Sequence, residues 1–335
     1  MEPLVSVVIP LYNKEKSITR TVNSVLKQTE QNFEIIIVND GSTDYSAQAI
    51  GNINARGKLK LINQENRGAS VARNRGIQEA RSDLIAFLDA DDEWLPEYLE
   101  TILALRAQFP EAEVYGTSHY KKDIHSDMTL PNYSFAFYEG WKGIIENYFE
   151  VNLKHPLLQT SCVAATRHIL KKVGGFPVGV KYGEDTETFI RLSLATKIAF
   201  YNKPLVIYHL DAENRTLKRK RDPSEELHKV ETLRQLLDCG AVPEPLRPSA
   251  FEHLVKYQLR YAKIFLELGN VKSAKVLIQS SKGTKKFISK WYWLSFCAAI
   301  PTFLYLPFVK LNKQSQALRR KIIMLRQATR QKIKK

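Results

Sequence analysis

The stretch Leu84 to Trp94, LIAFLDADDEW, sets five apolar residues directly before three carboxylates, Asp89, Asp91 and Asp92. A continuous apolar run of this length reads as a strand covered on both faces, as in a parallel α/β sheet. Ligands of such sheets gather at the carboxyl ends of the strands. Because side chains alternate along extended backbone, Asp89 and Asp91 are expected to point one way and Asp92 the other. Two carboxylates facing one point form a hard, oxygen-only site suited to Mg²⁺ or Mn²⁺, with the remaining positions left to phosphate and water. The same residues also read as a turn in which Asp89 or Asp92 merely caps a helix starting near Pro96.

Working outward, Val5 to Pro10, Ile35 to Asp40 and Leu59 to Asn63 read as further strands. Lys14 to Gln28, Gly68 to Ala80 and Pro96 to Phe109 read as the helices between them. Strand alternating with helix at this spacing means βαβ units. PLYNKE follows the first strand, so neither a dinucleotide fingerprint nor a P-loop is present. What stands at the strand ends is different: Tyr12 to stack on a base, Asp40 to accept from a base or ribose, Arg73 to face phosphate, and Asp89 with Asp91 for a cation. Taken singly, each is a strand-end Tyr, a turn-capping Asp or a solvated Arg. Converging on one edge, they favour a nucleoside-diphosphate site that works through a metal.

Four ordered segments carry a resemblance: VSVVIPLYNKEKSITRTVNSVLKQT from Val5, FEIIIVNDGSTD from Phe33, NRGASVARNRGI from Asn66 and LIAFLDADDEW from Leu84. In this order and spacing they resemble the family 2 glycosyltransferases of the GT-A fold, over roughly the first hundred residues and weakly to about residue 215. The resemblance implies an α/β fold with a single Rossmann-like mixed sheet, a nucleotide-sugar donor that is usually UDP-linked, and inversion at the anomeric carbon. It further implies that Pro10 and Tyr12 line the base pocket, that Asp40 contacts the base, that Arg73 and Asn74 lie by the nucleotide, and that Asp89 and Asp91 are the metal-binding pair.

The second half is less regular. Glu113 to Ser118, Ser161 to Ala165 and Leu205 to Tyr208 read as strands, whereas Tyr120 to Asn152 has no clear pattern. Gly174-Gly175-Phe176 and Gly183-Glu184-Asp185 precede a helix running through Ala195. This resembles the family segment that supplies the catalytic base, which makes Asp185 the expected base and Glu184 its alternate. An ionised carboxylate can take the acceptor hydroxyl's proton. Read without the resemblance, Asp185 is a helix cap and Glu187 pairs with Arg191 four residues on. His209 is a weak candidate for the metal, since some family members bring a late His to it; an ordinary hydrogen-bonded His fits as well.

Charge divides the chain. Of 50 Lys and Arg, 26 lie from Lys218 onward, against only 8 of 35 Asp and Glu, and no acidic residue follows Glu267. Residues 1–217 are therefore expected to form the GT-A domain, split into a nucleotide half (1–110) and an acceptor half (111–217), and 218–335 a basic helical extension. Such asymmetry points to a polyanionic partner. In the extension Ser224 to Asp238, Ser249 to Leu268 and Val271 to Ser280 read as helices. Trp291 to Val309 is 19 residues without a charge, interrupted by Pro301 and Pro307 and flanked by Lys on both sides. It reads as a membrane-surface segment, with a true span or a buried helix pair as alternatives. Leu318 to Ile333 reads as a basic amphipathic helix suited to anionic lipid. No reader of bases is recognisable, so nucleic acid is not the expected partner.

The three cysteines, Cys162, Cys239 and Cys297, have neither metal-ligand nor disulfide spacing and suit a reducing compartment. MEPLVSVVIP lacks a basic leader and reads as a strand. The expectation is a metal-dependent inverting glycosyltransferase peripheral to the inner face of the cell membrane, acting on a saccharide or lipid-linked acceptor in envelope or surface polysaccharide synthesis. Its rivals are a nucleotidyltransferase of sugar metabolism, which would want a Gly-rich phosphate loop, and an inactive membrane- or nucleic-acid-binding module.

Overall fold

A computed structural model describes residues 2–124, 127–131, 137–212 and 223–301. The strands are β1 (Val5–Leu11), β2 (Phe33–Asp40), β3 (Leu59–Gln64), β4 (Leu84–Phe87), β5 (Glu93–Trp94), β6 (Ala112–Lys122), β7 (Met128–Thr129), β8 (Lys142–Ile144), β9 (Val163–Thr166) and β10 (Lys197–His209). The helices are α1 (Ile18–Leu26), α2 (Ser46–Gly51), α3 (Ala69–Glu79), α4 (Tyr98–Gln108), α5 (Tyr148–Val151), α6 (Arg167–Lys172), α7 (Glu184–Ala195), α8 (His228–Asp238), α9 (Arg247–Glu267), α10 (Val271–Ser280) and α11 (Ile288–Ala299).

One mixed sheet runs β3-β2-β1-β4-β9-β6-β10-β5. Its first four strands are parallel, with Val5 opposite Phe33 and Ser6 opposite Ile85. Strand β9 enters antiparallel between β4 and β6, and β10 lies parallel to β6 with bulges near Tyr201 and Pro204. The expected parallel sheet is therefore confined to the nucleotide half, and β9 joins it to the acceptor half. Val5, Val7, Ile9, Ile35, Ile37, Leu84 and Ala86 meet Ile18, Val22 and Val25 of α1 in one apolar core. Continuous rather than alternating hydrophobicity is what burial on both faces demands. Within residues 120–152, the stretch without a clear sequence pattern, the described residues hold only β7, β8 and the short α5 besides the end of β6. These are too brief to show a period.

By packing the chain divides into two units, Met1–Ser249 and Ala250–Lys335. The boundary expected from charge, after Leu217, falls within residues 213–222, outside those described. Helix α8 lies beyond that point, yet it packs on α7 in the first unit. Charge marks composition, whereas apolar faces decide packing. In the second unit the Glu252 carboxylate accepts from Thr284 Oγ1 (2.6 Å) and the Lys285 amide (2.6 Å), and Trp291 Nε1 donates to the Ile278 carbonyl (2.8 Å). Helix α11 buries Leu294, Cys297 and Ala298 and leaves Ile288, Tyr292, Trp293 and Phe296 exposed. It ends at Ala299, just before Pro301, so the described part of 291–309 is a short helix. No helix among the described residues is long and apolar enough to cross a membrane. The segment Leu318 to Ile333 lies outside the described residues.

Helix α3 crosses β1 at Gly76, where a Cβ would stand 2.3 Å from Val8 Cγ1 and 2.9 Å from Cγ2. The backbone there is ordinary helix, so contact alone requires glycine. Gly76→Ala is expected to destabilise the fold by about 1–3 kcal/mol through overpacking. Urea unfolding measures it, and a stability equal to wild type would show that α3 does not sit this close to β1.

Candidate active site

Strand β4 stops at Phe87, and the acidic motif is a turn closed by the Asp92 amide bonding the Asp89 carbonyl (3.0 Å). The strand-alternation expectation therefore lapses at the motif itself, although Asp92 does part company with the other two. It is buried, with Oδ2 accepting from Ser161 Oγ (2.5 Å) and Oδ1 from the His209 amide (3.3 Å). Burial, reinforced by the charges of Asp91 and Asp89, raises its pKa well above the ordinary carboxylate value. Neither Asp89 nor Asp92 caps α4, which begins at Tyr98 after Glu97.

Helix α1 and its flanks hold this turn through side chains that read its backbone in sequence. Ser17 Oγ donates to the Ala90 carbonyl (3.0 Å), Arg20 Nη2 to that of Asp91 (2.9 Å) and Thr21 Oγ1 to that of Asp92 (2.8 Å). Further on, Ser24 Oγ accepts from the Trp94 amide and Gln28 Nε2 donates to the Leu95 carbonyl. None of these residues was singled out from the sequence. The signal was present as polar residues at positions 17, 20, 21, 24 and 28, a single helical face.

Arg73 comes from α3, its side chain only 6% exposed, and carries two carboxylates: Nη2 to Asp89 Oδ1 (2.8 Å) and Nη1 to Glu184 Oε1 (3.0 Å). Burial opposes its charge, but Asp89 and Glu184 outweigh burial and raise its pKa. The Phe176 ring lies against the guanidinium, 5.1 Å away. Burial, and then the neighbouring Asp185, raises the Glu184 pKa, although Arg73 pulls the other way. The strand-end residues of the nucleotide half and the first residue of α7 are thus brought together, over 111 residues of sequence. Asp185 stands beside Glu184 with a different set of bonds, its Oδ1 accepting from the amide (2.6 Å) and hydroxyl (3.2 Å) of Thr186. Glu187 pairs with Arg191 (2.6 Å), as the spacing suggests.

The remaining expected residues fall as follows. Tyr12 is 36% exposed at the end of β1, and Pro10 is half-buried in that strand. Asp40 is buried at the end of β2, where Oδ1 accepts from Gln64 Nε2 (2.7 Å) and the Arg67 amide (2.9 Å) and Oδ2 from the Gly68 amide (2.8 Å). It therefore shapes the loop entering α3, with one acceptor direction of its four left for a ligand. The Asn74 carboxamide donates to the Phe176 carbonyl and accepts from the Phe176 amide, both 2.8 Å. It braces the Gly175–Phe176 segment, and contact with a nucleotide would cost one of those bonds. His209 is buried with Nε2 on Glu93 Oε1 (2.6 Å) and Nδ1 3.7 Å from Asp211.

A sequence profile described as glycosyl transferase family 2 matches residues 6–174, half of the chain. The chain belongs to glycosyl transferase family 2. This family 2 glycosyltransferase is 35% identical over 177 residues to an uncharacterized glycosyltransferase of Nostoc sp., covering 52% of this chain and 53% of that one. It is 28% identical over 213 residues to glycosyltransferase GlyA of Streptococcus pneumoniae, covering 62% and 30%. The chain thus spans about half or less of the length of these curated relatives. Among solved structures, S. aureus TarS 1-349 in complex with UDP-GlcNAc superposes with a TM-score of 0.70 at 19% identity, over 94% of this chain and 92% of that one. A mannosyltransferase from Pyrobaculum calidifontis in complex with GDP-Man and Mn²⁺ gives 0.57 at 17% identity, over 92% and 85%. At these identities the superpositions establish a shared fold, the GT-A glycosyltransferase fold.

Among the described residues no group of three or more His, Cys, Asp or Glu is arranged to hold a metal ion by itself. Asp89 and Asp91 nevertheless fit one end of such a site. They are hard oxygen donors on one short turn, and Asp91 Oδ2 already holds a cation, the Lys14 ammonium at 2.7 Å. A Mg²⁺ or Mn²⁺ ion bound by two carboxylates takes its other ligands from phosphate and water.

Asp92 is expected to be a positioning residue. Both of its oxygens act as acceptors, so Asp92→Ala leaves the buried Ser161 hydroxyl and the His209 amide without their acceptor. A loss of about 1–3 kcal/mol is expected in chemical unfolding, and a stability equal to wild type would show that these bonds do not hold the turn.

Proposed function

We propose that the chain is an inverting glycosyltransferase that moves a sugar from a nucleoside-diphospho-sugar, UDP-linked, to an acceptor hydroxyl, with Asp185 as general base. The observation that carries this is the Asp89–Arg73–Glu184 bridge. It ties the donor edge of the sheet to the start of α7 and occupies Glu184 with a salt bridge. Asp185 next to it carries no such cation, and a carboxylate whose charge is not committed to an arginine is the better proton acceptor. As the acceptor oxygen attacks the anomeric carbon, Asp185 takes its proton, and the diphosphate leaves from the opposite face. In-line displacement of this kind inverts the centre.

Asp91 and Asp89 would hold the divalent cation, which when bound supplies charge compensation for the departing nucleoside diphosphate. Tyr12 and Pro10 would line the base pocket, and Asp40 would offer the base its remaining acceptor direction. Asn74 acts through the Phe176 segment. His209, engaged by Glu93, is left out of the ligand set.

Asp185→Asn is expected to lower kcat by about 10²–10⁴-fold with donor-nucleotide affinity within twofold of wild type. Glu184→Gln weakens the Arg73 bridge and is expected to reduce both turnover and thermal stability. Following nucleotide release from a panel of UDP-sugars with Mn²⁺ checks both. Turnover in Asp185→Asn equal to wild type would remove the base assignment.

The second unit is proposed to seat the enzyme on the inner face of the cell membrane, within reach of a lipid-linked acceptor of envelope polysaccharide synthesis. Supporting this, Tyr292 and Phe296 lie four residues apart on the exposed face of α11, and Lys282, Lys285 and Lys286 precede that helix. Aromatic side chains beside lysines suit the headgroup region of an anionic bilayer. In the full chain, the double substitution Tyr292→Ser and Phe296→Ser is expected to reduce co-sedimentation with vesicles containing phosphatidylglycerol several-fold. Unchanged co-sedimentation would detach α11 from the membrane.

A further inference from the structure

Lys14 lies in the loop between β1 and α1, and both ends of its contact with Asp91 are fixed. On its own side, the Lys14 amide donates to Ser46 Oγ (2.8 Å), while its carbonyl accepts from the amides of Ser17 (3.1 Å) and Ile18 (2.9 Å). The preceding Asn13 is held at φ 51°, and its side chain accepts from the Thr43 amide (2.8 Å). On the other side, Ser17, Arg20 and Thr21 hold the carbonyls of Ala90, Asp91 and Asp92. Between these anchors the ammonium meets Asp91 Oδ2 at 2.7 Å, with the two side chains only 13% and 15% exposed. Such an ion pair is a built feature, unlike a surface pair between mobile chains.

A second cation, Arg73, is on Asp89 Oδ1. Each carboxylate expected to take the metal therefore already has a resident positive partner supplied by the chain. A divalent ion binds carboxylate oxygen at about 2.0–2.2 Å. An ammonium on the same carboxylate would face two positive charges within a few ångströms, a repulsion that persists where water is scarce.

We propose that the Lys14 ammonium is a tethered cation that occupies the place of the divalent metal on Asp91, so that metal entry is an exchange in which Lys14 is displaced. This rests on the assignment of Asp91 as metal ligand. One consequence is a coupling between ligands. A displaced ammonium next to the incoming diphosphate gains a new anionic partner, so nucleotide lowers the cost of displacing it, and metal and nucleotide each strengthen the other's binding. A second is that the enzyme without donor keeps its acidic turn neutralised and holds free metal weakly.

The test is calorimetric titration of Mn²⁺ alone into the full chain, with no nucleotide present. Lys14→Met is expected to bind Mn²⁺ about tenfold more tightly than wild type, a change of about 1.4 kcal/mol, because the competing cation is gone. Lys14→Arg keeps the charge and is expected to stay within twofold of wild type, so an effect of altered packing is separated from an effect of charge. Mn²⁺ affinity in Lys14→Met equal to or weaker than wild type would overturn the proposal. Asp91→Ala tests the underlying assignment independently. Mn²⁺ binding that survives in Asp91→Ala places the metal elsewhere, whereas binding lost in Asp91→Ala but unchanged in Lys14→Met refutes the exchange alone.

Discussion

The acidic turn depends on the face of α1 that lies along it. A turn of Asp89, Ala90, Asp91 and Asp92 brings three carboxylates together and leaves their backbone carbonyls without strand partners. Left alone it would be repelled apart and solvated. Ser17, Arg20 and Thr21 take those carbonyls one after another, and Ser24 and Gln28 continue along residues 94 and 95. Most of these side chains are buried, so their bonds form away from competing water. Leaving a partner unsatisfied there carries its full desolvation penalty. The helix does two jobs with one set of residues. Its apolar positions Ile18, Val22 and Val25 close the core, and its polar positions fix the geometry of the acids.

Arg73 does for the two halves of the domain what α1 does for the turn. Its guanidinium is buried with a carboxylate from each half, Asp89 and Glu184, and Phe176 against it. A buried ion network of this kind is poor evidence for stability, because replacing it with apolar groups is often neutral or better. Its value lies in geometry. It ties the start of α7 to the acidic turn through one guanidinium. Asn74, next in sequence, adds a second link by bracketing the Phe176 backbone. Two adjacent residues of α3 thus set where the Phe176 segment and the start of α7 lie relative to the acidic turn.

Much of the nucleotide half was legible in the sequence because burial on both faces leaves continuous apolar runs, and four such runs ended in polar residues at a regular spacing. The positions of Asp40, Arg73, Asp89 and Asp91 at one edge follow from that topology. Two kinds of fact were not legible. Asp92 read as a helix cap because nothing local announces that Ser161, 69 residues away, would cover it. The strand-alternation argument lapsed at Asp89 for a related reason: the strand ends at Phe87, one residue before the apolar run does. In the acceptor half the described elements of residues 120–152 are two to four residues long apart from the end of β6, and the sheet there is built from pairings between distant segments. Long β10 is interrupted by bulges, so a period of two never runs for long enough to be seen.

Charge marks composition, and packing need not follow it. Helix α8 stands in the basic part of the chain, yet it packs with α7 and brings Lys229 to the segment that carries Glu184 and Asp185. Gly183 records how close this approach is. Its φ is 77°, which disfavours any side chain, and a Cβ there would stand 2.7 Å from Lys229 Nζ. Lys229 is itself buried, only 6% exposed, so its ammonium is held beside the acidic first turn of α7 rather than spread into solvent. The surroundings of Gly183 and the start of α7 therefore draw on a residue from beyond the point where the acidic and basic parts of the sequence divide, and α8 packs within the first unit although it stands in the basic part.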